Sequence, residues 1–337
     1  MTSLKGLALL AAVIGAACVP VLLPDQPYVV NTLTLTLCTV IPAIGLNLLY
    51  GQAGLLSLGH MAFTGIGGYT AALLMKGAGW ALPEAMLAAA IVAGFAGFLV
   101  GIPCLRLRSH FFVIVTLGVG MIVYTFFNNL DGITGGAQGL PGVPRPRPLT
   151  IGDFTIEFRT PRGFYWLALL TTLGTLLVQW LIARSPFGFS LSAIRQDETM
   201  AASRGVDVFA HKLAAFVIAS AIAGVGGALS VTFLRVAAPT MFDLHASMNI
   251  VAIVLVGGPG YLAGPILGGF IFIALPEFLR VAAEFRLIIF GFVLVFIALF
   301  ANRGLIGLAD SLLSKMKRDR VADEQPGASP HAVKSEG

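Results

Sequence analysis

The chain has 337 residues, 57% of them hydrophobic and 11% charged, which amounts to about 190 apolar side chains, more than a soluble core of this length uses. That excludes a soluble globule; at about 20 apolar residues per crossing of the hydrocarbon layer, the content fills roughly eight to ten membrane helices. The formal charge of +5 falls between apolar runs and at the C-terminal end, so it reports topology and not a nucleic-acid footprint.

The apolar runs cover residues 7–23, 29–49, 53–75, 86–102, 111–127, 164–182, 213–234, 248–275 and 287–300, separated by linkers bearing Pro, Gly or charge. The fold class is an all-α polytopic membrane protein. The first run carries Lys5 and a small-residue stretch ending at Cys18, which weakly resembles a lipoprotein cleavage site. Gly15 stands where such a site has Leu, and a retained first helix is expected. Cys18, Cys38 and Cys104 form no Cys-x-x-Cys pair, so neither a disulfide framework nor a zinc site is expected. The 40 glycines suit close packing of membrane helices through small side chains.

Two connections are long, residues 128–163, rich in Gly and Pro, and residues 184–212, charged and nearly free of Pro. Placing the N-terminus, the 103–108 turn, the 184–212 connection and the stretch from Arg303 through the tail on the cytoplasmic side collects 13 of the 21 Lys and Arg residues. Residues 1–314 then form the transmembrane domain and residues 315–337 a basic, then disordered, cytoplasmic tail. The tail's basic cluster could meet anionic membrane lipid, but serves more simply as a topological anchor. With the 184–212 connection and the tail on one side, an even number of crossings separates them. The run at 248–275 is broken by Gly257-Gly258-Pro259-Gly260, a sequence unsuited to a continuous helix. We expect it to enter and turn back, lining a pathway or core, because irregular backbone at membrane depth is tolerated only there.

Polar side chains concentrate in residues 47–69, where Asn47, Gln52, Ser57 and His60 stand among glycines. At this depth they face other helices or a cavity. Two readings stay open: they line the pathway with Gly257 and Gly258, or they satisfy backbone groups while the glycines pack helices.

The 47–69 segment resembles the glycine-rich signature of the LivM-type permease of branched-chain amino acid ABC importers. Thr134-Gly135-Gly136-Ala137-Gln138-Gly139-Leu140 is similar to that family's outer-loop run. Ser185-Pro186-Phe187-Gly188, with Ala193-Ile194-Arg195-Gln196-Asp197-Glu198, Ala201 and Gly205, is similar to its cytoplasmic coupling loop, and residues 253–268 to its late Gly-rich hairpin. The resemblance implies a bacterial inner-membrane permease subunit. Its partners would be a second, H-type permease, two cytoplasmic ATPases and a periplasmic binding protein delivering leucine, isoleucine or valine. Related permeases serve urea and other small polar solutes, which the apolar segments do not separate.

The coupling loop has its own physical logic. From residue 189 to 204 there is no Pro or Gly, Pro186 and Gly188 precede and Gly205 follows, so a short helix is expected. Leu191, Ile194 and Glu198 fall on one face, with Ala201 beside them, and Arg195 joins them as an ATPase-coupling candidate. Such a helix suits docking in a groove of a soluble partner, against the alternative of a solvated connector. Thr199 and Met200 depart from the general importer pattern of Glu-Ala-Ala, although Ala201 and Gly205 keep its spacing. No Lys is preceded by Gly, so the phosphate-cradling Gly-Lys-Ser/Thr loop is absent and the chain is expected to be non-catalytic, without cofactor or metal. An ion-gradient carrier is the competing class. Its coupling carboxylates would be Glu84, Asp131, Glu277 or Glu284, all near expected interfaces. An intramembrane hydrolase is weaker, since the histidines are scattered singly.

Overall fold

The computed structural model describes residues 26–107, 109–151, 154–156, 158, 160–278, 291 and 304–308. The runs at 7–23 and 287–300, Glu284 and the tail with its basic cluster lie outside the described residues, apart from residue 291. Among the described residues six helical stretches are long and apolar enough to cross a membrane.

Helix α1 (Pro27–Ala53) starts on a proline at its first position, where the missing N–H costs nothing. Thr34 and Thr36 return their hydroxyls to the carbonyls four residues earlier, at 2.7 and 2.9 Å, which satisfies them within the helix. Gly54 ends α1 in the left-handed region at φ 74°, its N–H bonded to the Tyr50 carbonyl at 3.1 Å. The break expected near residues 50–52 therefore falls at 54–59, and α2 (His60–Gly77) begins only at His60. Helix α3 (Leu82–Cys104) follows, with Glu84 accepting from the Ala81 N–H at 3.2 Å as a capping group. Helix α4 (Ser109–Asn129) completes the first half.

The 128–163 connection, rich in Gly and Pro, carries short elements of its own. It holds a single turn, α5 (Asp131–Thr134), a 3₁₀ turn (Gly136–Gln138), strand β1 (Leu140–Pro141) and a hairpin of β2 (Leu149–Ile151) with β3 (Phe154–Ile156). The chain is thus helical apart from short ladders. The Thr134 hydroxyl donates within the turn, toward the Phe127 carbonyl at 2.6 Å and the Leu130 carbonyl at 2.8 Å. Arg147 donates to the Gly79 carbonyl at 3.3 Å and Lys76 to the Pro141 carbonyl at 3.0 Å, so the segment folds back over the α2–α3 turn.

Helix α6 (Pro161–Arg184) leads to α7 (Pro186–Gln196) and α8 (Glu198–Ser203), and these to α9 (Val208–Leu234). The single helix expected across 189–204 is two. Asp197 adopts an extended conformation and caps the second, accepting from Thr199 N at 2.8 Å and Met200 N at 3.0 Å. An Asp side chain competes for exactly such backbone donors, which is why a stretch without Pro or Gly still breaks.

Helix α9 is the central element, packed against α1, α2 and α3. A Cβ on Gly67 of α2 would collide with the Gly224 backbone of α9, and one on Gly226 would meet Pro42 of α1. Backbone-to-backbone approach of this kind is how membrane helices gain contact without a hydrophobic drive between them. Beyond α9, β4 (Val236–Ala237) pairs antiparallel with β1, matching Leu140 with Ala237. Arg235 makes the turn at φ 60°.

The late run is a hairpin as expected. Helix α10 (Leu244–Gly257) enters from the end carrying β1 and β4. The chain reverses through Gly258 at φ 114° and Gly260 at φ 87°. It returns as α11 (Gly264–Gly269), one π turn (Phe270–Ala274) and α12 (Leu275–Phe278). Tyr28, at the start of α1, donates to Glu277, so the returning limb runs back along α1 toward the end where α10 began. Apolar side chains such as Leu87, Ile91 and Phe95 on α3 and Ile114 and Ile122 on α4 point outward. In water that surface would be untenable; in a bilayer it is solvated by lipid or covered by a partner.

Candidate functional site

The residues that sequence reasoning singled out separate into a joint at one end of the bundle and a set of buried polar groups above it. The joint is where α1, the α10–α11 turn and α7 meet. Asn47 is fully buried, its side-chain carbonyl accepting from Gly260 N at 2.8 Å and its amide donating to the Tyr261 carbonyl at 2.9 Å. Both ends of the amide bond the hairpin turn, so in this conformation Asn47 clasps two elements. Four residues on, Gly51 touches Gly260, and a Cβ there would collide with its backbone. The Arg195 guanidinium of α7 donates to the Gly51 carbonyl, and an ideal Cβ on Gly260 would lie 3.3 Å from the same guanidinium nitrogen. The Gly304 backbone sits against Gly258 on the other side of the turn.

Of the coupling candidates, Leu191, Ile194 and Ala201 are buried at 0%, 1% and 3% exposure. They hold α7 and α8 onto the bundle, so the two apolar members of the face expected from Leu191, Ile194 and Glu198 are covered by the chain's own helices. The break at Asp197 moves Glu198 to a second helix, where it pairs with Lys212 of α9 at 2.5 Å. Phe187 stacks on His211 of α9 with ring centroids 5.4 Å apart, a further tie. Phe189, Ser192, Ala193, Met200 and Ala202 are among the residues that face outward, and Arg195 and Glu198 are themselves exposed although each also reaches back to the bundle. Gly205, at φ 84°, closes α8 with its N–H on the Ala202 carbonyl at 2.9 Å.

The other pathway candidates are buried. Gln52 Oε1, Ser57 Oγ and both ring nitrogens of His60 have no hydrogen-bond partner among the described residues. His60 opens α2, lies edge-on to Phe63 at 6.4 Å, and has Nε2 3.1 Å from where a Gly45 Cβ would be. Unsatisfied buried polar atoms are costly and uncommon, which marks this region as distinct from the rest of the packed bundle. Gly257 and Gly258 serve backbone packing and reversal: a Cβ on Gly257 would collide with the Gly264 carbonyl across the hairpin.

Sequence reasoning missed Asn249. It stands exposed on α10 one turn from exposed His245, just before the apolar stretch Ile250–Val256. A polar residue on an outward face at membrane depth disfavours lipid contact. Its position at the edge of an apolar run was the available signal. Among the described residues no group of three or more His, Cys, Asp and Glu side chains could hold a metal.

Residues 28–298 match the family described as the permease component of branched-chain amino acid transport systems. The chain is 33% identical over 319 residues to the high-affinity branched-chain amino acid transport permease LivM of Escherichia coli K12, covering 88% of this chain and 74% of that one. It is 32% identical over 317 residues to LivM of Salmonella typhimurium LT2, with the same coverage. Against LivH of Escherichia coli K12 it is 27% identical over 295 residues, 82% of this chain and 94% of that one. No solved structure matches the chain. The match over residues 28–298 and the identity to the two LivM permeases show that this chain is a member of the branched-chain amino acid transport permease family, a multi-pass, non-catalytic membrane subunit.

Proposed function

We propose that the chain is one of two permease subunits of a bacterial inner-membrane ABC importer, carrying leucine, isoleucine or valine by alternating access. The observation that carries the coupling part of this reading is the capped pair α7–α8: two short helices anchored to the bundle by Leu191, Ile194 and Ala201, with Phe189 and Met200 left outward. An anchored element with an outward apolar edge suits a groove on a soluble ATPase. The substrate reading is supported by the names of the relatives. The partners are an H-type permease, two cytoplasmic ATPases and a periplasmic binding protein received on the side of residues 128–163. Residues 184–212 and both termini face the cytoplasm. ATP-driven closure of the ATPase pair moves α7 and α8, and α1 and the hairpin rearrange around the pathway.

The test is reconstitution of the complete complex in vesicles with labelled leucine. ATP- and binding-protein-dependent uptake is expected. Uptake by the purified chain alone, driven by a proton or sodium gradient, would overturn the reading. Transport of urea in place of leucine would leave the importer standing and replace its substrate.

A further inference from the structure

We propose that Arg195 is the pin that transmits movement of the coupling loop into the membrane bundle, a positioning residue and not a docking contact for the ATPase. The inference rests on the importer reading above and deepens it. Arg195 projects from α7 beneath the end of α1. Its guanidinium donates to the Gly51 carbonyl, in the last turn of α1, and lies beside Gly260 in the hairpin turn. Its aliphatic stem lies against Gly54, where an ideal Cβ would come 3.2 Å from Cγ. Gly54 is the left-handed residue at which α1 stops, at φ 74°. Asn47 then fastens α1 to Gly260 and Tyr261. One side chain therefore touches the end of α1, its terminating hinge and the tip of the hairpin, and α1 and the hairpin tip are themselves clasped together by Asn47.

The glycines explain why the contact is direct. Gly51, Gly54 and Gly260 leave no side chain between the guanidinium and three stretches of backbone, so displacement of α7 is not absorbed by intervening rotamers. The carbonyls at a helix C-terminus attract a cation through the unsatisfied C=O groups and the helix dipole. The planar guanidinium can hold this carbonyl while its stem packs on Gly54, which a Lys ammonium on a flexible stem reproduces only in part.

The experiment compares Arg195→Gln, Arg195→Lys and the unaltered chain in reconstituted complexes. Three readouts are followed: co-purification of the ATPases, binding-protein-stimulated ATP hydrolysis, and solute transported per ATP. For Arg195→Gln, assembly and hydrolysis are retained while transport per ATP falls about tenfold, the order expected when one link of a coupled network is removed. Arg195→Lys recovers part of it. Normal transport per ATP in Arg195→Gln overturns the proposal, as does loss of the ATPases, which would make Arg195 a docking residue.

Should Arg195→Gln fail to fold, the unaltered side chain is tested by distance. Spin labels at Ala193→Cys and Leu262→Cys, with Cys18, Cys38 and Cys104 replaced by Ala, keep one separation between nucleotide-free and vanadate-trapped complexes if α7 and the hairpin tip move together. A changed separation overturns the pin. If the unaltered chain assembles no complex at all, the importer reading fails; if it transports normally and only these outcomes fail, the pin alone is lost.

Discussion

Asn47 and Gly260, 213 positions apart, are joined by a 2.8 Å hydrogen bond in which the backbone N–H of the glycine donates to the side-chain carbonyl of the asparagine. With the second bond to the Tyr261 carbonyl, Asn47 satisfies two backbone groups of a turn that has no regular partner of its own. Replacing it by Ala leaves a donor and an acceptor unpaired, at about 1–3 kcal/mol per buried group. We expect Asn47→Ala to lower the unfolding temperature in detergent clearly, and Asn47→Asp to lower it too, because a carboxylate repels the Tyr261 carbonyl. Unchanged melting of Asn47→Ala would show that the clasp contributes nothing.

The ion pair of Glu198 and Lys212 is asymmetric. The Lys212 side chain is 9% exposed and the Glu198 side chain 54%. Removing the carboxylate strands a buried ammonium, whereas removing the ammonium leaves a carboxylate that water can solvate. Discounted for the exposed partner, Glu198→Ala should cost about 1–3 kcal/mol and Lys212→Met about 0–1 kcal/mol. Equal losses in thermal or denaturant unfolding would refute the asymmetry.

Close backbone approach predicts a contrast between glycines of the same type. Gly67 meets Gly224 with no room for a Cβ, while Gly118 on α4 has nothing within 4 Å of where one would lie. Gly67→Val should separate α2 from α9 and cost about 1–3 kcal/mol or more through overpacking. Gly118→Ala should be neutral or slightly stabilising, through the better helix propensity of alanine. Membrane expression levels and melting of the two variants side by side decide it.

On the opposite end, Arg145 and Arg147 are exposed while Pro146 and Val143 between and before them are buried. Pro146 and Val143 hold the segment in place, so charge reversal at the two arginines probes the surface without disturbing its packing. Arg145→Glu with Arg147→Glu should reduce binding-protein stimulation of ATP hydrolysis and flatten or invert its salt dependence, leaving basal hydrolysis intact. Undiminished stimulation would remove this stretch from the docking surface.

Exposed Asn249 gives a last expectation. In the assembled importer, Asn249→Cys in a background with Cys18, Cys38 and Cys104 replaced by Ala should react with a membrane-impermeant maleimide, while Ile122→Cys should not. Identical silence at both positions would place Asn249 against lipid or a dry interface.

The membrane class, the order of the apolar runs, the two long connections and the broken hairpin at Gly257–Gly260 were all legible in the linear chain, because hydrocarbon thickness and the conformational demands of Pro and Gly are local constraints. The motif pattern also placed the chain in its family, and the comparisons bear this out. Folding alone decided what Asn47, Leu191, Ile194 and Arg195 touch. Asn47 could have faced a cavity; its pairing with a turn more than two hundred residues away depends on which helices meet. Leu191 and Ile194 carry the pattern of a docking face, yet an apolar stripe specifies only that something covers it, and here the bundle does. The split at Asp197 follows from a side chain outcompeting helix continuation once α8 is held by Lys212. Periodicity and composition fix what each segment needs from its surroundings. Only the three-dimensional arrangement selects the partner that supplies it, since hydrogen bonds and close packing are satisfied by proximity in space and carry no record along the chain.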